Sequence, residues 1–373
     1  AAEPSGDTLA AGLMQAVRRI HPEVVVEGIG GPRMLEQGMH NWYPLERLSV
    51  MGLVEVLRHL PELWGIRREL VRRWRRAPPD LFIGVDAPDF NLGLETSLRK
   101  QGVTTVHYVC PSVWAWRENR VHKIREAADL VLSIFPFEKD FLAGHRIKAS
   151  YVGHPLAQAF PLPADKAASR AELSLTAGQP VLALLPGSRS SEIQYLSRPF
   201  LLTALRCSRQ LPGLKVLVPL VNDKTRRLFQ AQLARYAPEL EVTLLDANAR
   251  LALTAADAAL IASGTATLEG LLCECPMVVG YKLHWLSYRL IRALKLIKLQ
   301  HVSLANLLSD EVLAPEFIQG SCEPGQLTPA VMKLFQQPHL IEPIREHYRQ
   351  VHQSLVMDTN QRAASAVLSL CRT

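Results

Sequence analysis

The sequence predicts an α/β protein made of two Rossmann-like, doubly wound domains facing each other across a cleft, and three observations carry that expectation. Short β-branched apolar runs alternate with helix-length segments of 3.6-type apolar spacing, the pattern of a parallel sheet wrapped by helices. The alternation occurs twice, on either side of a Pro/Ala-rich stretch at 161–168. The 373 residues suffice for about two domains at roughly 100–200 residues each, large enough to bury their own cores without disulfide or metal staples.

Taken in order, Ala1-Ala2-Glu3-Pro4-Ser5-Gly6-Asp7 reads as a strand-to-helix turn, with Ser5 or Asp7 capping a helix over 8–19. No strand precedes this turn, so an opening strand is expected to have been lost. The first series of strands is predicted at 24–26, 81–85, 105–109 and 130–134, and the second at 181–185, 216–219, 242–245, 259–262 and 277–281. Beyond 310 the chain is strand-poor and predicted helical, with 349–370 a terminal helix or helix pair. The predicted organisation is therefore a first domain over 1–165, a second over 166–309 and a helical segment over 310–373.

Composition narrows the classes. With 48% hydrophobic and 21% charged residues the chain is neither disordered nor a fibre. Six cysteines, at 110, 207, 273, 275, 322 and 371, include no C-x-x-C pair and are too sparse for a disulfide framework, which points to a reducing compartment. No uncharged apolar run approaches about 18 residues, and the N-terminus lacks the pattern of a signal peptide, so a soluble or peripherally attached protein is expected. A net charge of +7 suits an anionic small molecule, a membrane surface or nucleic acid. The histidines form no H-x-x-x-H or H-E-x-x-H cluster and Cys273-Glu274-Cys275 has the wrong spacing for a zinc knuckle, so no metal or other cofactor is predicted.

Four segments carry candidate chemistry. Leu185-Pro186-Gly187-Ser188-Arg189 lies where a strand delivers the chain to a helix near Ser190. Small residues there admit an anion to backbone N–H groups, and Arg189 adds a charged fork suited to phosphate, although a tight turn with a solvated arginine has the same pattern. Ser263-Gly264-Thr265 opens a second apolar helix, with Glu269 one turn in, where a carboxylate can accept both hydroxyls of a ribose; capping alone is the alternative. Two anion-suited turns in one half favour a nucleotide diphosphate, and neither is a P-loop or a G-x-G-x-x-G fingerprint. In the first half, Asp86 and Asp89 follow a buried strand; Asp89 suits an N-cap and Asp86 a general base on a substrate hydroxyl. Trp114 and Trp116 sit in a polar, Pro-bearing turn, where indoles can stack on a sugar, cover an acyl chain or anchor the loop.

The stretch 60–76 holds the strongest charge cluster. Leu63, Ile66, Leu70 and Trp74 form one helical stripe beside Trp64, with Arg68, Arg72, Arg75 and Arg76 mostly elsewhere. An interfacial membrane contact through Leu63, Trp64, Ile66, Arg72, Trp74, Arg75 and Arg76 is one reading and a core-facing helix with a solvated basic face the other. The stretch 282–298 repeats this character.

Glu3-Pro4-Ser5-Gly6-Asp7, Gly30-Gly31-Pro32-Arg33-Met34, Val50-Met51-Gly52-Leu53-Val54-Glu55-Val56, Asp86-Ala87-Pro88-Asp89-Phe90-Asn91, the segments 111–117, 185–189 and 263–269, and Ser303-Leu304-Ala305-Asn306-Leu307-Leu308 resemble the lipid-A-disaccharide synthase family, in the family's order and over nearly the whole chain. The resemblance implies a GT-B glycosyltransferase, inverting and metal-independent, that joins UDP-2,3-diacylglucosamine to 2,3-diacylglucosamine 1-phosphate (lipid X). It implies Asp86 as general base, Arg189 on the donor phosphates with Ser188, and Ser263, Gly264, Thr265 and Glu269 around the nucleotide. Asn306 then falls in a segment that can reach the nucleotide from a domain-swapped homodimer partner. Glu3, Ser5, Asp89, Trp114 and Trp116 fall on the acceptor side. A cytoplasmic protein peripheral to the inner membrane is implied, and no nucleic-acid partner, since no nucleic-acid module is present. Ala2, Cys110 and Ala305 depart from the usual Gly, Ser and Pro of the family.

Overall fold

A computed structural model of the chain describes residues 1, 4–48, 53–115, 118–283, 289, 301–309 and 311–371. It divides into two compact units, 1–158 with 355–373, and 159–354. The segment expected as a separate helical part over 310–373 is thus shared between them.

The first unit begins with α1 (Pro4–Ile20), followed by β1 (Glu27–Gly30), α2 (Pro32–Glu36), β2 (His40–Pro44) and α3 (Leu53–Arg76). Next come β3 (Leu81–Val85), α4 (Pro88–Arg99), β4 (Thr104–Tyr108), α5 (Val121–Ala127), β5 (Leu130–Ser133), α6 (Pro136–Gly144) and β6 (Ala149–Tyr151), and α7 (Pro155–Ala159) carries the chain onward. β3 to β6 form a four-stranded parallel sheet in sequence order, while β1 and β2 pair in parallel as a sheet of their own. The predicted strand at 24–26 is displaced: pairing starts at Glu27, and Val25 is exposed. The ladder to β2 rather than β-propensity selects the strand. α1 buries Leu9, Leu13, Met14 and Val17 against a core that includes Val85, Val106 and Leu132.

The second unit contains α8 (Lys166–Glu172), β7 (Val181–Leu185), α9 (Ser190–Gln210), β8 (Lys215–Leu220), α10 (Asp223–Tyr236), β9 (Val242–Asp246), α11 (Ala249–Ala255), β10 (Ala258–Ala262), α12 (Thr265–Leu272) and β11 (Met277–Tyr281). α13 (Leu304–Ser309), β12 (Glu316–Ile318), α14 (Pro324–Gln336) and α15 (Pro338–Leu355) complete it. Its sheet is six-stranded and parallel in the order β12-β11-β10-β7-β8-β9, so the winding direction reverses between β7 and β10. β7 and β10 are buried along their whole length, as a central parallel strand with helices on both faces requires. The last helix, α16 (Thr359–Leu368), returns to the first unit, where Ala363, Ala364 and Val367 join the core that holds α1.

Candidate active site

The reversal in strand order fixes where the second unit can take a ligand. In open α/β sheets ligands bind beyond the carboxyl ends of the strands where the winding direction changes, and the two strands flanking this reversal deliver the two anion-suited turns. After β7, Gly187 takes φ 124°, a conformation costly for any side chain, and its hydrogen faces Glu192 so closely that a Cβ would lie 2.3 Å from the Glu192 Cβ. The backbone N–H groups of Ser188 and Arg189 donate to Glu192 Oε2 at 2.8 and 3.2 Å, and Arg189 Nη1 donates to Glu192 Oε1 at 3.2 Å. The turn expected to offer free N–H groups is therefore filled by a carboxylate of its own helix, a feature absent from the sequence reading. The Arg189 side chain remains 71% exposed. Tyr281, at the end of β11, responds to the same pair: burial raises its phenol pKa, Glu192 adds to the rise and Arg189 opposes it.

After β10, Gly264 caps α12 with φ 145° and ψ −159°, a region only glycine occupies readily, and no side chain caps the helix. The Ser263 hydroxyl donates to Val302 O at 2.7 Å, tying this turn to the segment ahead of α13. Thr265 is exposed at the first position of the helix. Glu269 is half-buried one turn further on, with its carboxyl pKa raised by burial. Asn306 is different. It is 1% exposed, its Nδ2 donates to Ala314 O and Glu316 Oε1, and its Oδ1 accepts from the N–H groups of Leu313 and Ala314. Two donors and two acceptor sites are thereby spent within its own chain, which corrects its assignment as a nucleotide contact. It acts instead with Glu316, whose carboxylate also accepts from Val302 and Ser303 N–H, to shape the segment that holds Ser263.

In the first unit Asp86 follows β3 at φ 53°, and Ala87 and Val109 are also left-handed, at φ 43° and 78°. Such backbone costs about 1–3 kcal/mol per residue and persists only where its surroundings hold it. Two grips do so here. Asp86 N–H donates to Tyr108 O at 2.8 Å, and the buried Asn91 side chain donates to Val85 O and Asp86 O at 3.2 and 2.7 Å. Among the described residues no hydrogen bond or ion pair engages the Asp86 carboxylate. Asp89 is not the expected N-cap, because α4 begins at Pro88 after a left-handed Ala87 with no side-chain cap. Asp89 instead pairs with Arg120 from an exposed position.

The start of the chain behaves differently from its sequence reading. Asp7, not Ser5, is the structural residue: buried, it accepts N–H groups of Gly31, Arg33 and Met34 and so caps α2, while Ser5 is exposed. Trp114 is partly buried, with its ring edge-on to Phe137 at 4.9 Å and its indole N–H donated to Glu138 Oε1 at 3.0 Å. Glu3 and Trp116 lie outside the described residues, as does nearly all of 282–298.

The amphipathic stretch of α3 divides between its two readings. Ile66, Leu70 and Trp74 are buried, and Trp74 packs against Trp42 and Phe82 at 5.2 Å each, so Ile66 and Trp74 are removed from any membrane-contact set. The stripe is core-facing because its period matches the helix face laid on α4. Trp64 is 57% exposed, Arg72, Arg75 and Arg76 are exposed with it, and Leu63 is partly covered. Among the described residues no helix is long and apolar enough to cross a membrane, and no three His, Cys, Asp or Glu side chains gather as a metal site would need.

Solved structures share this architecture. The HepE protein of Anabaena in complex with UDP and glucose superposes with a TM-score of 0.59 at 14% identity, covering 99% of this chain and 97% of that one. A glycosyltransferase from Rickettsia africae gives 0.58 at 10% identity, covering 99% and 95%. The two parallel α/β units, with the reversal in the second, define a protein of the GT-B glycosyltransferase fold. A family model described as lipid-A-disaccharide synthetase matches residues 1–369. The lipid-A-disaccharide synthase of Yersinia pseudotuberculosis is 47% identical over 370 residues, covering 99% of this chain and 93% of that protein, and the one from Xanthomonas campestris is 48% identical over 374 residues, covering 99% and 85%. The chain belongs to the lipid-A-disaccharide synthase family and is a glycosyltransferase of lipid A disaccharide synthesis.

Proposed function

We propose that the chain joins UDP-2,3-diacylglucosamine to 2,3-diacylglucosamine 1-phosphate, releasing UDP and forming a β-1,6-linked disaccharide 1-phosphate with inversion at the donor carbon and without a metal ion. The observation that carries this reading is the pair of anion-suited turns at the strand-order reversal of the second unit. The diphosphate is read onto Ser188, Arg189 and the N-terminus of α12 at Gly264 and Thr265, with Arg189 countering the charge that develops on the leaving UDP. Glu269 is read as the acceptor of the ribose hydroxyls. In the first unit Asp86 takes the proton of the attacking sugar hydroxyl as its oxygen bonds to the anomeric carbon and the carbon–phosphate-oxygen bond breaks. Supporting this role, no hydrogen bond or ion pair engages the Asp86 carboxylate among the described residues, while its backbone is held from two sides. Asp89 and Trp114, with Glu3, Ser5 and Trp116, belong to the acceptor side in this reading. UDP release by purified protein only when both acylated sugars are supplied is the expected result; release with the donor and water alone at the same rate would overturn it.

The substrates' acyl chains call for contact with the inner-membrane surface, and the exposed part of α3, with Trp64 beside Arg72, Arg75 and Arg76, supports it. The reading also includes a homodimer that exchanges its C-terminal segment, since the face that α16 lays on α1 is one an exchanged segment can use equally. Light scattering at micromolar concentration tests this, and a monomer mass would remove it.

A further inference from the structure

Beyond the turns already described, one buried charge stands at the ligand edge of the first unit with no role in the proposed chemistry. Glu138, on the first turn of α6, is 1% exposed. Its Oε2 accepts the N–H groups of Ile134 and Phe135, both at 3.1 Å, and its Oε1 accepts the Trp114 indole N–H at 3.0 Å. One carboxylate thus ties the loop after β4 to the turn after β5. Around it Trp114 lies edge-on to Phe137, Phe137 stacks on Phe135, and Phe135 meets His154. Capping alone does not call for this arrangement: Asp165, Asn222, Asn248 and Asp358 cap their helices in this chain without being buried.

We propose that Glu138 is a positioning residue for the acceptor, an ionisable latch that holds Trp114 and the loop 110–115 in the arrangement that receives the acylated sugar. The inference rests on the reading of Trp114 as an acceptor-side residue. When the carboxylate is ionised, Oε1 is free to accept the indole N–H. When it gains a proton, Oε2 stays committed to two backbone N–H groups, the proton sits on Oε1, and an O–H then confronts the N–H of Trp114. The charge-assisted acceptor is lost, and the indole N–H is left at most the weaker lone pairs of a neutral hydroxyl.

The electrostatics agree with this geometry. Burial pushes the Glu138 carboxyl up to about 7, against the opposing hydrogen bonds from Phe135, Trp114 and Ile134. The groups facing it titrate elsewhere. Burial, and then the charge of Glu138 itself, drives the Cys110 thiol far up. Tyr151 is raised to about 12, by burial first, with Arg362 opposing and Glu138 adding, and burial lowers His154 to about 4. Lys139 and Asp140, its neighbours on α6, are exposed. Because the folded pKa lies above the ordinary carboxyl value, the folded state holds this proton more tightly than the unfolded chain. The associated stability is present at low pH and lost as pH rises through about 7. Ionised Glu138 is therefore a cost to the fold at pH 8, and Glu138→Gln, an uncharged isostere, removes that cost while imitating the released latch.

This separates a latch from a structural strut. The Trp114 fluorescence, isolated as the difference between wild type and Trp114→Phe, is expected to titrate with a midpoint near 7 and to be flat in Glu138→Gln. At pH 8 Glu138→Gln is expected to melt no lower than wild type, to raise the KM for the acylated acceptor about tenfold, the scale of one charge-assisted hydrogen bond, and to leave the KM for the UDP-sugar unchanged. A wild-type signal without titration overturns the latch whatever the activity. A titrating signal with unchanged acceptor KM overturns its role toward the acceptor, and a lowered melting temperature at pH 8 assigns Glu138 to the fold. If no acylated sugar pair turns over, the proposed function fails, while the fluorescence still decides the latch.

Discussion

The turns after β3 and after β7 solve the same topological problem in opposite ways. After β7 the left-handed position is a glycine, so the turn is unstrained, and its outward N–H groups are already bound to the Glu192 carboxylate. After β3 the left-handed positions are Asp86 and Ala87, so strain is held by Asn91 and Tyr108, and no hydrogen bond or ion pair engages the carboxylate among the described residues. On the proposed reading one turn would receive an anion in place of an internal carboxylate, and the other would present one. In the proposed reaction a nucleotide phosphate at Ser188 and Arg189 would displace or share the place of Glu192, whereas a sugar hydroxyl at Asp86 would meet a carboxylate that no hydrogen bond or ion pair engages among the described residues.

Four measurements break or sharpen this contrast. Asp86→Asn keeps shape and removes proton acceptance, and a fall in turnover of about 10²–10⁴ is expected; near-normal turnover by a folded variant would leave the strained turn without a catalytic role. Arg189→Ala is expected to weaken UDP binding by about tenfold, the lower end for a charge-assisted contact because the side chain is largely exposed. Calorimetry showing equal affinity would return Arg189 to the status of a solvated turn residue. Glu192→Gln relieves the like charge at the anion turn, so UDP should bind about fivefold more tightly, the equivalent of about 1 kcal/mol between charges at contact in water. Weaker binding would mean that Glu192 serves the site by orienting Arg189 rather than by occupying it. The fourth measurement lies outside the two turns and concerns vesicles of anionic lipid. Wild-type sedimentation should weaken with salt without vanishing, and should fall when Arg72, Arg75 and Arg76 become Ser, each arginine adding about 1 kcal/mol near such a surface. Equal sedimentation of both proteins would place the membrane contact away from α3.

The two faces of α3 extend the same lesson to packing. Its apolar stripe and its basic residues are both plain in the sequence, but a stripe containing tryptophan suits a bilayer as well as a core. The rings of Trp42 and Phe82, distant in sequence, decide the matter for Trp74, and Trp64 is left outside because it lies on the helix face that α4 does not cover.

The sequence by itself determined the two α/β series, the strands at 81–85, 181–185 and 277–281, and the turns that carry Asp86, Arg189 and Glu269, because apolar period and glycine placement are local properties that the chain records directly. Only the tertiary structure decided which side chains are spent on the fold. Asp7 faces α2 across 24 residues, Asn306 is saturated by a loop and by Glu316, and Glu138 meets Trp114 across 24 residues. Glu192, although only three residues from Arg189, fills its turn because Gly187 leaves room for it. A hydrogen bond made between distant segments leaves no periodic trace in either of them, so the sequence shows which groups are able to bond, and the packing of the sheets and helices selects their partners.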